Sequence, residues 1–335
     1  DGLVERIISL RLYIIFKRQS FWLPLFLFVS TIISIFEEIS NKGMEKISNN
    51  ILTVEIAEHG AELQSIRKNN KEYLWQGDAR FWGRRSPVLF PNVGRVWNDE
   101  YRYQGKIYQI GQHGFARDMD FKLTSKGDDS IEYCLESTPE TLAKYPFPFR
   151  MKIGYALDGN KITVKWHVEN IGDTDMYFQI GAHPAFYFPN FDPATDERCF
   201  FAFDNSNDLK YISPVEKGCV SPDVHALQLD ADGLMPVDVH TFDCDTYIFE
   251  DKQLKKVSLL TKEKTPYLSL QFDTPLVAIW SPTKPHPDCP FICIEPWYGR
   301  CDKIGYEGEL QHREWMQQLA PRQSFDASYD IIIEE

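Results

Sequence analysis

Lys161-Ile-Thr-Val-Lys-Trp-His-Val-Glu-Asn170 alternates without a break, with Ile162, Val164, Trp166 and Val168 on one side and Thr163, Lys165, His167 and Glu169 on the other. A period of two is that of a strand with one buried face and one wet face. Outward from it, Tyr267-Leu-Ser-Leu-Gln-Phe272 alternates in the same way, and Leu276-Val-Ala-Ile-Trp280 reads as a fully buried strand. A further strand, Ile51-Leu-Thr-Val-Glu-Ile56, follows soon after Met44. Turn signals such as Lys68-Asn-Asn-Lys71 and Asn170-Ile-Gly-Asp173 separate these pieces. No long 3.6-residue stripe occurs, the nearest being a short turn around residues 139–144. The 20 prolines and 19 glycines supply the loops that such a chain needs. The expected fold is therefore all-β: one large antiparallel β-sandwich forming a single domain over residues 44–335, with no internal repeat and no second-domain boundary.

The formal charge is −13, from 49 acidic and 36 basic residues. That balance argues against nucleic acid and against an anionic membrane surface, because both are bound through clustered Lys and Arg. A neutral small molecule is the expected partner; nothing in the sequence chooses between monomer and dimer. The seven cysteines form no CxxC pairs and read as reduced thiols of a cytoplasmic protein. Cys289, Cys293 and Cys301 near His286 have poor ligand spacing, so no metal site is expected.

Residues 1–43 stand apart. The run QSFWLPLFLFVSTIISIF, residues 19–36, carries no charge, follows Arg11, Lys17 and Arg18, and precedes Glu37 and Glu38. By length it is a marginal membrane span, and by the positive-inside rule it would leave the rest outside the cytoplasm. The chain begins with Asp1 and its first methionine is Met44. The expectation is that Met44 is the true start and that the upstream stretch is a mis-called extension. The alternative is a signal anchor, which would tether the domain to a membrane, although no small-x-small cleavage site precedes the domain.

Three segments couple a proton carrier to aromatic residues and a tight turn: Gln112-His-Gly-Phe-Ala-Arg-Asp118, Gly181-Ala-His-Pro-Ala-Phe186 and Cys293-Ile-Glu-Pro-Trp-Tyr-Gly299. A pyranose offers hydroxyls to hydrogen-bond and a C–H face to stack, and chemistry at its anomeric carbon needs an acid and a base. Strand parity puts Tyr177, Gln179, Gly181 and His183 on one face, with Met176, Phe178, Ile180 and Ala182 toward the core. Glu295 shares a face with Phe291 and Cys293, and Pro184 and Pro296 follow His183 and Glu295, ending regular pairing. His59, His167, His225, His240 and His312 read as hydrogen-bonded turn residues, and Trp75 and Trp82 in part as core. Arg84 and Arg85 read either as a surface pair or as binders of an anionic sugar substituent such as phosphate.

These pieces resemble the aldose 1-epimerases, the galactose mutarotase-like proteins, and within them the LacX-type branch. The matching pieces are Leu74-Trp-Gln-Gly-Asp78 with Phe81-Trp82, Arg84-Arg-Ser-Pro-Val-Leu-Phe-Pro-Asn-Val-Gly-Arg95, His113-Gly-Phe-Ala-Arg117, Gly181-Ala-His-Pro-Ala-Phe186 and Ile294-Glu-Pro-Trp-Tyr-Gly299. The resemblance implies the mutarotase supersandwich, an open cleft on one sheet, and no metal or organic cofactor. It implies Glu295 as the base for the anomeric hydroxyl and His183 as the acid for the ring oxygen. His113 and Arg95 would hold the ring oxygen and nearby hydroxyls. Asp245 would take sugar hydroxyls, with Asp243 open as its alternative, and Trp297 would offer a wall or pack in the core. At neutral pH Glu295 is expected to be ionised, and His183 beside it to keep its proton more readily. His183-Pro-Ala-Phe186 departs from the Asn-His-x-x-Phe type motif of better-studied mutarotases, so substrate identity is not carried over.

The leading expectation is an isomerase that interconverts the anomers of a free hexose. The alternatives are a mutarotase for a hexose phosphate, a non-catalytic sugar-binding protein on the same fold, and a glycoside hydrolase or lyase using Glu295 and Asp245 as its two carboxylates.

Overall fold

The alternating stretch forms one unbroken strand, Lys161–Asn170, paired antiparallel with Phe149–Asp158 on one side and Ser324–Ile333 on the other. Ile162, Val164, Trp166 and Val168 are all buried, as period two demands. The computed structural model describes residues 43–334, and the apolar run at residues 19–36 lies outside them. The described chain belongs to a compact unit, Met44–Glu335. Among the described residues, no helix is long and apolar enough to cross a membrane.

Two antiparallel sheets dominate. Nine strands run in the order Met235–Asp238, Glu197–Phe203, Lys256–Leu260, Pro266–Phe272, Ser324–Ile333, Lys161–Asn170, Phe149–Asp158, Ser130–Glu136 and Lys122–Lys126. The second sheet has six, with Tyr247–Phe249, Leu276–Trp280, Phe291–Tyr298, Ile180–Ala182 and Val88–Leu89 in line, and Ala185–Tyr187 paired to Phe291–Tyr298. A four-stranded sheet begins at Met44–Ser48, which pairs with Leu52–Ala57. One apolar cluster draws Ile162 and Val164 from the large sheet, Ile292 and Ile294 from the second, and Val54 and Ile56 from the third. The predicted antiparallel sandwich is the fold observed.

Local chemistry explains the details. Asn69 and Asn70 sit at φ 51° and 65° between paired Lys68 and Lys71, the left-handed pair that a two-residue hairpin turn requires. The short turn expected at 139–144 is a six-residue helix, Pro139–Lys144. Thr138 caps it by accepting from Thr141 N, and Pro139 sets φ in the first turn.

One expectation needs correction. Pro184 does not end the pairing of its strand; it interrupts it. Ile180 and Gly181 pair with Tyr298 and Trp297, and pairing with the same strand resumes at Ala185, opposite Cys293. The ring removes one N–H, so the ladder opens at His183-Pro184 and closes again one step later. The face assigned to Tyr177, Gln179 and Gly181 is also less polar than expected. Gln179 is fully buried, its side chain accepting from Val93 N at 3.1 Å and donating to Glu314 O at 3.1 Å.

Candidate active site

The ladder between Ile180–Tyr187 and Phe291–Tyr298 keeps one register on both sides of Pro184. Carried across the gap, that register sets His183 directly opposite Glu295. Cross-strand partners bring their Cβ atoms to about 5 Å, and here His183 Nε2 lies 3.3 Å from Glu295 Oε2. Ile292 and Ile294 point into the main core, while Phe291, Cys293, Glu295 and Trp297 point to the opposite face. That outer face is covered by two small apolar clusters, one holding Trp297, Ile248 and Ala278, the other Phe291, Cys293 and Trp75. Between them opens a cavity of about 370 Å³, lined by His183, Glu295, His113, Asp245 and Trp297 among others.

Five of the six residues expected in the site are thus brought together, although their roles are a separate matter. Arg95 is not among the residues that line this cavity. Its guanidinium bonds Asp99 Oδ1 and Oδ2 at 2.9 and 3.1 Å, and its stem packs on Gly218. Gly94, its neighbour, faces the cavity instead. Of the two aspartates left open by sequence, Asp245 lines the cavity, whereas Asp243 lies in an adjoining hollow and contacts His240 Nδ1 at 3.2 Å.

Aromatic side chains wall the cavity. Trp82 stacks on the His183 imidazole, 4.7 Å between centroids at 27°, and Trp280 meets it edge-on at 5.7 Å. Trp297 donates from Nε1 to Ala182 O at 3.2 Å. It fits only because residue 181 is glycine, since a Cβ there would come within 2.5 Å of Trp297 Cδ1. Trp280 was not singled out, because a continuous buried run such as Leu276–Trp280 hides which residues share a face. Arg117 was quoted inside a motif without a role, and Gln112 likewise; both line the cavity.

His113 and Asp245 both sit in the left-handed region, at φ 66° and 75°. Such backbone is unfavourable for side-chain-bearing residues and gathers at functional sites. His113 N donates to Gly94 O at 2.8 Å, and Gly94 N donates to His113 Nδ1 at 3.1 Å. With Nδ1 accepting, the neutral ring carries its proton on Nε2. The Gln112 amide lies 3.3 Å from that nitrogen, so this tautomer requires its oxygen toward the ring.

The electrostatics revise the expected protonation. Burial pushes the Glu295 carboxyl well above its ordinary range, and the nearby Asp245 charge adds to the effect. Burial pushes His183 down to about 3, with the Arg117 and Arg84 charges acting in the same direction. His113 is lowered well below its ordinary value by burial, then by His183 and Arg117. Glu295 is 1% exposed and His183 8%. Desolvation therefore outweighs the attraction that would have kept an ion pair, and the pair's single proton rests on Glu295. Glu295 Oε2 is buried without a hydrogen-bond partner, so the 3.3 Å contact with His183 Nε2 is poorly aligned and the carboxyl oxygen keeps unused hydrogen-bonding capacity; His183 Nδ1 is likewise unpartnered.

Among the described residues, His183, Cys293 and Glu295 bring a ring nitrogen, a thiol and a carboxylate oxygen within 4.8 Å of one another. Burial pushes the Cys293 thiol well up, so without a cation beside it the thiol stays protonated.

An antiparallel sandwich whose cleft holds a buried carboxyl opposite a histidine, between indole walls, has the makings of a carbohydrate-handling site. The aldose 1-epimerase family model matches residues 45–310, and the chain belongs to that family. It is 28% identical over 297 residues to the plasmid-borne protein LacX of Lactococcus lactis subsp. lactis, covering 86% of this chain and 98% of the relative. A solved galactose mutarotase related enzyme from Lactobacillus acidophilus superposes with a TM-score of 0.81 at 34% identity, covering 87% of this chain and 97% of that one. A galactose mutarotase-like protein from Lactobacillus casei also gives 0.81, at 29% identity, over 87% of this chain and 100% of that one. Family and relatives together support a mutarotase-type function.

Proposed function

We propose that the protein exchanges the α and β anomers of an aldose, with Glu295 and His183 as the proton-transferring pair. The observation that carries this reading is the cross-strand contact of the two groups, 3.3 Å apart, on the wall of a sugar-sized cavity. Such a cavity is within the range of small-ligand sites.

One proton on the pair suffices for the whole cycle. A sugar hydroxyl donating to Glu295 Oε2 stabilises the carboxylate, and the proton passes to His183 Nε2. Glu295 then takes the proton of the anomeric hydroxyl while His183 gives its own to the ring oxygen. The C1–O5 bond breaks and C1–O1 becomes a carbonyl. Rotation about C1–C2 presents the other face, the ring hydroxyl adds back, and both protons return. Each well-placed acid or base contributes about 10²- to 10⁴-fold. His113 Nε2–H can donate to an oxygen that gains negative charge once it leaves the Gln112 amide oxygen, and Asp245 is an acceptor for sugar hydroxyls. Trp82 and Trp280 give the ring's C–H face a surface and exclude water from the pair.

The test is the rate at which freshly dissolved α-D-glucose and α-D-galactose reach anomeric equilibrium, followed by optical rotation. Acceleration by the protein is expected. Absence of acceleration with either hexose and with their phosphates, while sugar still binds, would favour a binding protein instead.

A further inference from the structure

Asp302 does not line the cavity, yet it grips the segment that forms one of its walls. Its backbone lies between two others: Asp302 N donates to Arg95 O at 2.9 Å, and Asp302 O accepts from Val220 N at 3.0 Å. The side chain adds a third tie, Oδ2 accepting from Trp97 N at 2.9 Å. The other oxygen, Oδ1, accepts from Arg313 Nε at 2.6 Å, with both side chains buried. The remaining guanidinium nitrogens of Arg313, Nη1 and Nη2, are buried with no hydrogen-bond partner among the described residues. An ion pair buried in this half-satisfied state is a poor source of stability. What it does supply is a carboxylate fixed in one orientation, with Oδ2 turned to Trp97 N.

The segment held in this way begins at Gly94. Cys301, next to Asp302, packs on it so closely that a Cβ at residue 94 would fall 2.6 Å from Cys301 Cβ. Gly94 in turn holds His113 at two points: Gly94 O accepts from His113 N at 2.8 Å, and Gly94 N donates to His113 Nδ1 at 3.1 Å. The second contact decides the tautomer. A donor at Nδ1 keeps the proton of the neutral ring on Nε2, in a ring that meets His183 edge-on at 5.5 Å between centroids. If Gly94 drew back, Nδ1 would be free to take the proton, and Nε2 would then turn a lone pair toward an oxygen that gains negative charge.

We propose that Asp302, clamped by Arg313, is a positioning residue: it holds Gly94 where its N–H fixes the His113 tautomer that donates into the cavity. The use of that donor in turnover rests on the mutarotase reading; the link from Asp302 to the tautomer does not. Asp302 touches neither the cavity nor the proton-transfer pair, and the His113 donor acts on charge that develops in the transition state. Loss of the clamp should therefore appear in kcat more than in KM.

Two variants of the full chain interrupt the link at different points. Asp302→Ala/Arg313→Met removes the acceptor without leaving a charge stranded in the core. Trp97→Pro leaves the ion pair whole and deletes the N–H that Oδ2 accepts; Val96, at φ −86° and ψ 149°, already has the extended backbone that precedes proline. Trp97→Ala loses the same indole but keeps the N–H, and serves as the control. Nitrogen-15 NMR of the His113 ring, assigned with His113→Gln, reads the tautomer, and anomer exchange of glucose and galactose reads kcat and KM. The wild type and Trp97→Ala are expected to show one tautomer, protonated on Nε2. Both interrupting variants are expected to populate the Nδ1-protonated form and to lose roughly 10- to 100-fold in kcat, the scale of a misplaced catalytic group, with KM changed less than about threefold. A folded interrupting variant with a lowered urea midpoint but the wild-type tautomer and kcat overturns the proposal, and so does a wild type protonated on Nδ1. A tautomer shift in the variants, with no anomer exchange by the wild type, upholds the positioning role and overturns the mutarotase reading.

Discussion

His183 stands directly opposite Glu295 because the ladder holding both keeps a single register across Pro184, pairing Gly181 with Trp297 and Ala185 with Cys293. Pro184 opens the ladder beside His183, whereas Pro296, expected from sequence to end pairing, does not: Glu295 and Pro296 stay paired with Ala278 and Val277 on the other side of their strand. Proton-transfer groups on a rigid sheet are held more precisely than on loops.

The pH dependence of turnover follows from burial. A second proton on the pair must go to His183, whose pKa is pushed down to about 3. The acid limb of kcat/KM, which reports the free enzyme, should therefore lie well below 6.5, with kcat/KM at pH 5.5 close to that at pH 7. On the alkaline side the pair loses its one proton only above the ordinary carboxylate range, because burial raises Glu295. A rate profile measured from pH 4 to 9 checks this; an acid limb between 6 and 7 would mean an ordinary, solvated histidine.

Stability should carry the same signature. His183 titrates near 3 in the folded chain against an ordinary 6.5, so between those values the unfolded chain binds the extra proton. The contribution of His183 is lost as pH falls through that window, while Glu295, raised by burial, contributes with the opposite sign above the ordinary carboxylate range. His113 acts with the same sign. His183→Asn removes one of these groups, so urea unfolding at pH 6.5, 5.5 and 4.5 should show a shallower decline than the wild type. Equal slopes would place the imidazole in water.

Gly181→Ala tests the wall. Its Cβ would come within 2.5 Å of Trp297 Cδ1, and overpacking of this kind costs about 1–3 kcal/mol. The expected result is a lower urea midpoint together with weaker sugar binding, since the displaced indole lines the cavity. Unchanged stability would mean that Trp297 is free to move.

Trp82→Leu removes the ring stacked on His183. The expected result is a KM raised about 2- to 10-fold, the worth of a stacking contact, and steady-state anomerisation measures it.

Much of the fold was legible because strands such as Lys161–Asn170 alternate visibly and Asn69-Asn70 is a turn by its chemistry. His183 and Glu295 could be named because each lies in a segment that resembles the aldose 1-epimerases, but their opposition depends on register, which a single strand does not encode. The protonation of the pair was misjudged for a related reason: charge proximity can be read from sequence types, whereas the depth of burial that outweighs it cannot. Arg95 stood in a matching segment, yet its side chain turns to Asp99. Arg117 needed the folded 112–118 turn to bring it to the cavity.

The most direct measurement compares the wild type with Glu295→Gln for acceleration of anomeric equilibration, using glucose, galactose and their 6-phosphates, with sugar binding measured alongside. The expected result is acceleration by the wild type and a loss of about 10²- to 10⁴-fold in the variant, with binding retained because the amide keeps the carboxyl's shape. A variant that binds sugar and keeps most of the wild-type rate would contradict the account.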